Sequence, residues 1–97
     1  MTEPDPEFDA VHPSGHLMFR SCRGGLLHGV VLSDAAMGVA ADTLATAVLA
    51  TAEVSHLKAV MEIRREIIGA GFTPSAELPT PADLAAAEEA LRQSRIG

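Results

Sequence analysis

The residues of this chain best suited to metal or nucleophilic chemistry are four histidines, His12, His16, His28 and His56, and the single cysteine, Cys22. His12 and His16 are four apart, a spacing that puts two rings on one face only in a helix. Pro13-Ser14-Gly15 between them argues against a helix there. No H-E-x-x-H or paired Cys/His ligand pattern is present. The expectation is ordinary surface or strand-end histidines and no metal site. Arg20 and Arg23 flank Cys22 and would favour its thiolate, but nothing in the sequence places a base beside it. A lone cysteine in a strand is usually a small apolar filler. Gly24-Gly25 lacks the lysine and further glycines of a phosphate loop, and a turn explains it. The chain therefore reads as non-enzymatic, with no catalytic residue and no cofactor.

A charged patch, Glu62, Arg64, Arg65 and Glu66, falls within one helical stretch. It reads either as a solvated face with local Glu/Arg pairs or as charge matching across an interface with a partner.

The elements that must position these groups follow from local signals. Residues 1–14 hold Pro4, Pro6 and Pro13 and four acids, Glu3, Asp5, Glu7 and Asp9. Residues 1–7 read as a disordered acidic tail, and Phe8 to His12 as a short edge strand. His16–Arg23 and Leu26–Leu32, apolar runs on either side of Gly24-Gly25, predict a β-hairpin whose turn needs positive φ. Leu17 and Phe19 point one way and Arg20 and Cys22 the other. In the second strand Val30 pairs in facing with Leu32, and Leu27 with Val31. Neither face is strongly polar, so both sides are expected to be covered.

After Ser33-Asp34 the pattern turns helical. Asp42 is the expected cap, and residues 42–69 would make a helix about 42 Å long, with a bend near Ser55. Gly69-Ala70-Gly71 should stop it. A second helix is marked by Thr80 as N-cap, Pro81 as its first residue and Asp83 closing a capping box. Leu84, Ala87 and Leu91 line its apolar face.

Composition and charge exclude several function classes. With one Cys, no intramolecular disulfide can form. No stretch free of Asp, Glu, Lys and Arg exceeds ten residues, about half of what spans a bilayer. The acidic start is the opposite of a signal peptide's. These features predict a cytoplasmic protein with no membrane partner. Lys and Arg number 7 against 13 Asp and Glu. Removing Glu3, Asp5, Glu7 and Asp9 still leaves no basic excess, which disfavours nucleic acid as a partner, because phosphate neutralisation drives most non-specific affinity.

A strand, a turn and a Gly-Gly hairpin ending Val30-Val31-Leu32-Ser33-Asp34, followed by a long Ala/Leu helix, resemble the YbaB/EbfC family over residues 8–65. Those are small dimeric nucleoid-associated proteins. The resemblance implies a short antiparallel sheet before a helix, and dimerisation. This chain lacks that family's long N-terminal helix and its basic character, so DNA binding remains the alternative reading. The whole chain also resembles small actinobacterial Esp-group proteins of type VII secretion, of the EspD and EspH kind. That likeness includes Leu78-Pro79-Thr80-Pro81 leading into Ala85-Ala86-Ala87-Glu88-Glu89. Trp and Tyr are absent, and with them a W-x-G turn and a Tyr-containing export signal. The resemblance thus implies a cytosolic accessory protein rather than an exported substrate.

Together these readings give an α+β chain with one domain over residues 8–97. It has a two- or three-stranded antiparallel sheet, a long helix across it and a capped C-terminal helix. The apolar positions of the long helix exceed one stripe, which predicts a homodimer, with Leu49, Leu57, Val60, Met61, Ile67 and Ile68 as interface residues. A further protein partner fits the same surplus.

Overall fold

The computed structural model describes residues 3–95. Strands β1 (Ala10–Val11), β2 (Leu17–Ser21) and β3 (Leu27–Leu32) precede helices α1 (Ala41–Gly69) and α2 (Pro81–Arg92), with 3-10 turns at Pro6–Phe8 and Asp34–Gly38. The sheet is antiparallel in the order β1-β2-β3, which makes it three-stranded and the fold α+β.

The hairpin forms where the glycines require it. Gly24 and Gly25 have φ of +99° and +95°, a region L-residues avoid. Gly25 also lies where a Cβ would meet the His56 ring at 3.1 Å and Val60 Cγ2 at 3.2 Å, so the turn is pressed against α1. Leu17 pairs with Leu32 and Phe19 with Val30, but the register shifts between Arg20 and Ser21, so that Ser21 pairs with Leu27. This bulge adds one residue to β3 and alters the facing read from strict alternation. Leu27 falls opposite Ser21, on the helix side with Val30 and Leu32, rather than beside Val31.

The acidic start is tied to the sheet from Glu3 onward. The Arg23 N–H donates to Glu3 O at 3.0 Å and the Asp5 N–H to Ser21 O at 3.2 Å. Asp5 also caps the first 3-10 turn by accepting from the Glu7 N–H at 2.9 Å, and Phe8 is buried. Residues 3–7 thus extend the β1 side of the sheet where composition predicts a disordered tail. Prolines and acids disfavour a helix there but leave the backbone free to bond β2. Residues 1 and 2 of that predicted tail lie outside the described residues.

Helix α1 runs unbroken through Ser55. Its N-cap is Ala40, with no side-chain bond, and Asp42 lies inside the first turn, its carboxylate accepting from the Thr43 N–H at 2.9 Å. An acid there still favours the helix N-terminus, so Asp42 acts two residues after the cap. At the other end the Gly71 N–H donates to Ile68 O and the Phe72 N–H to Ile67 O, with Gly71 at φ +91°. This is a Schellman stop, and it gives the glycine cluster its role. Helix α2 carries the full capping box between Thr80 and Asp83, with Pro81 at its first turn.

Two apolar clusters hold the layers together. Leu17, Phe19 and Ala47 pack with Val48 and Ala52 between β2 and α1. Ala10, Val54 and Leu91 pack with Ala50, Leu84 and Ala87 between β1, α1 and α2. By length and composition alone α1 could cross a bilayer. Its packing is that of a core helix, with Ala47, Val54 and Ala59 at most 2% exposed.

Candidate interaction surface

The clusters place α1 over β1 and β2, so β3 extends beyond its cover. Every residue of β3 is exposed, which differs from the expectation that both its faces are covered. The alternation of that strand carries apolar residues on both sides, and only the lateral position of α1 reveals that neither side is packed. Leu26, Leu27, Val30, Val31 and Leu32 all count among the exposed large apolar residues, Val31 at 59%. No Asp, Glu, Lys or Arg occurs from Gly24 to Ser33. Natural edge strands usually carry charges or prolines that block pairing with another chain. This one carries neither.

The backbone direction of the edge can be fixed. The Ser33 N–H donates to His16 O at 2.9 Å, which makes 16 and 33 a hydrogen-bonded pair. Alternation along an antiparallel ladder then turns Val31 and Gly29 toward β2 and leaves the N–H and C=O groups of Val30 and Leu32 facing outward. The opposite ladder agrees, since the His12 N–H donates to Leu17 O at 2.8 Å on the β1 side.

Of the six helix positions expected at an interface, Leu57, Val60 and Met61 are buried within the chain's own core, Ile67 is half-buried, and Leu49 and Ile68 are exposed. Leu49, at 71% exposure, lies two turns before His56, which bonds Gly25 O at the head of β3 through Nδ1 at 2.6 Å. That spacing puts Leu49 on the β3-facing side of α1. Ile68 and Met61 instead line an open cleft of about 430 Å³ with Phe8, Pro81 and Leu84, whose rim includes Lys58 and Arg64. Exposed apolar surface thus lies on β3, at Leu49 and along this cleft, with Val11, Met37 and Phe72 also exposed; β3 is the part that the expected interface residues did not include. The ten-residue run without charge was the signal that could have found it.

Several titratable groups are bonded within the fold. His12 is 1% exposed. Its Nδ1 accepts from the Ser14 N–H at 3.1 Å, so the proton sits on Nε2, which donates to Ser94 Oγ at 3.0 Å. Burial, with a smaller push from His16, holds its pKa below 6.5. His16 Nδ1 meets Ser33 Oγ at 2.8 Å. Among the described residues no three of His, Cys, Asp and Glu converge as a metal site would need. Cys22 is buried and unpaired.

Arg20 grips Asp9 in a two-point ion pair at 2.7 and 2.8 Å. That hydrogen bonding lowers the Asp9 pKa, against an opposing effect of burial. In the charged patch, Arg65 pairs with Glu62 and Glu66 with Arg23. Arg64 reaches Pro79 O at 3.4 Å. These contacts are within the chain, as in the solvated-face reading of that patch.

A small α+β protein with an uncovered apolar sheet edge is the class these features define. The chain belongs to the DUF2694 family, described as "Protein of unknown function (DUF2694)", whose model matches residues 1–97. It is 59% identical over 91 residues to the uncharacterized proteins Mb0029 of Mycobacterium bovis and Rv0028 of Mycobacterium tuberculosis. Each alignment covers 94% of this chain and 90% of the relative. No solved structure matches the chain with significance.

Proposed function

We propose that this chain is a non-enzymatic protein-interaction module that works as a homodimer in the cytoplasm, accessory to type VII secretion. The observation that carries the reading is the exposed, uncharged apolar arm from Leu26 to Leu32, with exposed Leu49 on the side of α1 toward it. Contiguous apolar surface of this kind marks an interaction site. The cations favour a protein over DNA as partner. Arg20, Arg23, Arg65 and Arg92 are each held by an acid of the same chain, four of the seven Lys and Arg. The secretion setting comes from the resemblance to Esp-group proteins in the segment Leu78 to Glu89.

Light scattering on the purified chain tests the reading. The expected result is twice the chain mass of 10.1 kDa at tens of micromolar. A strict monomer would remove the homodimer. Salt-sensitive retention of DNA in a gel shift would replace the protein partner with the nucleoid-type alternative.

A further inference from the structure

We propose that β3 is the seam of this homodimer. Two copies pair β3 to β3, antiparallel, about a two-fold axis through Val31, and fuse two three-stranded sheets into one of six strands. The proposal rests on the homodimer reading above and names the surface that makes it.

The register follows from the groups left open. Only residues whose N–H and C=O face outward can bond a neighbouring strand, and in the regular part of β3 these are Val30 and Leu32. A two-fold axis at Val31 sets Val30 opposite Leu32 of the partner subunit and Leu32 opposite the partner's Val30. Each of these two pairs exchanges two hydrogen bonds, so all four open groups on each copy are satisfied together.

The side chains agree with that register. On the helix side, a β-branched residue meets a leucine in both pairs, and such apolar cross-strand contacts stabilise sheets. On the other side Val31, 59% exposed, meets the partner's Val31 in a close non-hydrogen-bonded pair. The same register sets Gly29 opposite Ser33 of the partner subunit, which brings no further bulk or charge into the seam. The pairing segment itself carries no acid or base to repel its own copy, although the chain as a whole has net charge −6. A second copy is therefore the occupant that fits without any change of sequence.

Two variants of the full chain test the seam. In a non-hydrogen-bonded antiparallel pair the Cα atoms are about 4.5 Å apart, within the range a disulfide bridges. Val31→Cys should therefore form a disulfide-linked dimer under mild oxidation, under conditions where the wild type, whose Cys22 is buried, stays unlinked. Val30→Pro removes one outward N–H per copy and leaves the β2 ladder intact. With far-UV circular dichroism unchanged, it should weaken the dimer by roughly 30-fold or more, as two lost hydrogen bonds imply.

No cross-link through Val31, in a sample that sedimentation shows to be dimeric, overturns the seam while leaving the homodimer standing. Dimerisation of wild-type strength in a folded Val30→Pro chain does the same. A monomeric wild type removes both.

Discussion

Ser21 Oγ and Ser55 Oγ lie 2.6 Å apart between the sheet and α1, and neither residue is exposed. Ser55 also donates to Phe8 O at 2.7 Å, which leaves Ser21 as the donor to Ser55. One hydroxyl thus ties the N-terminal segment, the central strand and the long helix at a single buried point. Ser55→Ala leaves the Phe8 carbonyl and the Ser21 hydroxyl without their partner, and the expected loss is about 1–3 kcal/mol. An unchanged urea midpoint in that variant would show the relay to be dispensable.

Gly25 combines a positive φ with contact to His56 and Val60. Gly25→Ala should destabilise the fold by roughly 1–3 kcal/mol through backbone strain alone, and the new Cβ pushes the turn from α1. Gly24 has the same backbone but open space around it, so Gly24→Ala should be the milder change in the same denaturation series.

His12 gives stability a pH dependence with a definite sign. Burial lowers its pKa below 6.5, so the folded chain holds this proton less tightly than the unfolded one. Its contribution is complete above about pH 6.5 and declines as pH falls from there toward the lowered value. Protonation at Nδ1 would also set a donor against the Ser14 N–H. His12→Gln should flatten stability across that window. Asp9 acts lower on the scale: its pKa lies below 3.8, held there by the hydrogen bond from Arg20. The stability it supplies persists above 3.8 and is lost as pH falls through the lowered value, so the two steps separate in an acid titration followed by circular dichroism.

The capping box of α2 is exposed and local. Thr80→Ala should cost about 1 kcal/mol, read as a lower thermal midpoint with hydrogen exchange accelerating first in the α2 amides. Uniform acceleration across the chain would mean that α2 and the sheet unfold as one unit.

Local chemistry was legible in the sequence. The Gly-Gly turn, the Thr80–Asp83 box and the Gly71 stop each depend on residues a few positions apart, and each appears where its signal lies. What depends on the lateral placement of α1 was not legible. Leu57, Val60 and Met61 share the apolar character of Leu49, and no periodicity distinguishes a helix position facing a three-stranded sheet from one facing another copy. The bulge between Leu27 and Gly29 had one marker, a glycine inside the strand, but nothing in the residues beside it says that Leu27 moves to the helix side. The division of the apolar surplus between core and edge became visible only with the packing.

Val31→Lys sets a cation on the exposed apolar arm, on the sheet face away from α1 and the clusters around Leu17 and Val54. The folded variant should be monomeric where the wild type is dimeric. Ala86→Lys, at an exposed position of α2, should leave association unchanged. Equal loss in both would point to general charge effects rather than to β3.

Sedimentation equilibrium of the wild-type chain across a dilution series at physiological salt bears most directly on the central claim, that this protein is a homodimeric interaction module. The expected result is a reversible dimer of twice 10.1 kDa at tens of micromolar. A single species of 10.1 kDa at every concentration would contradict it.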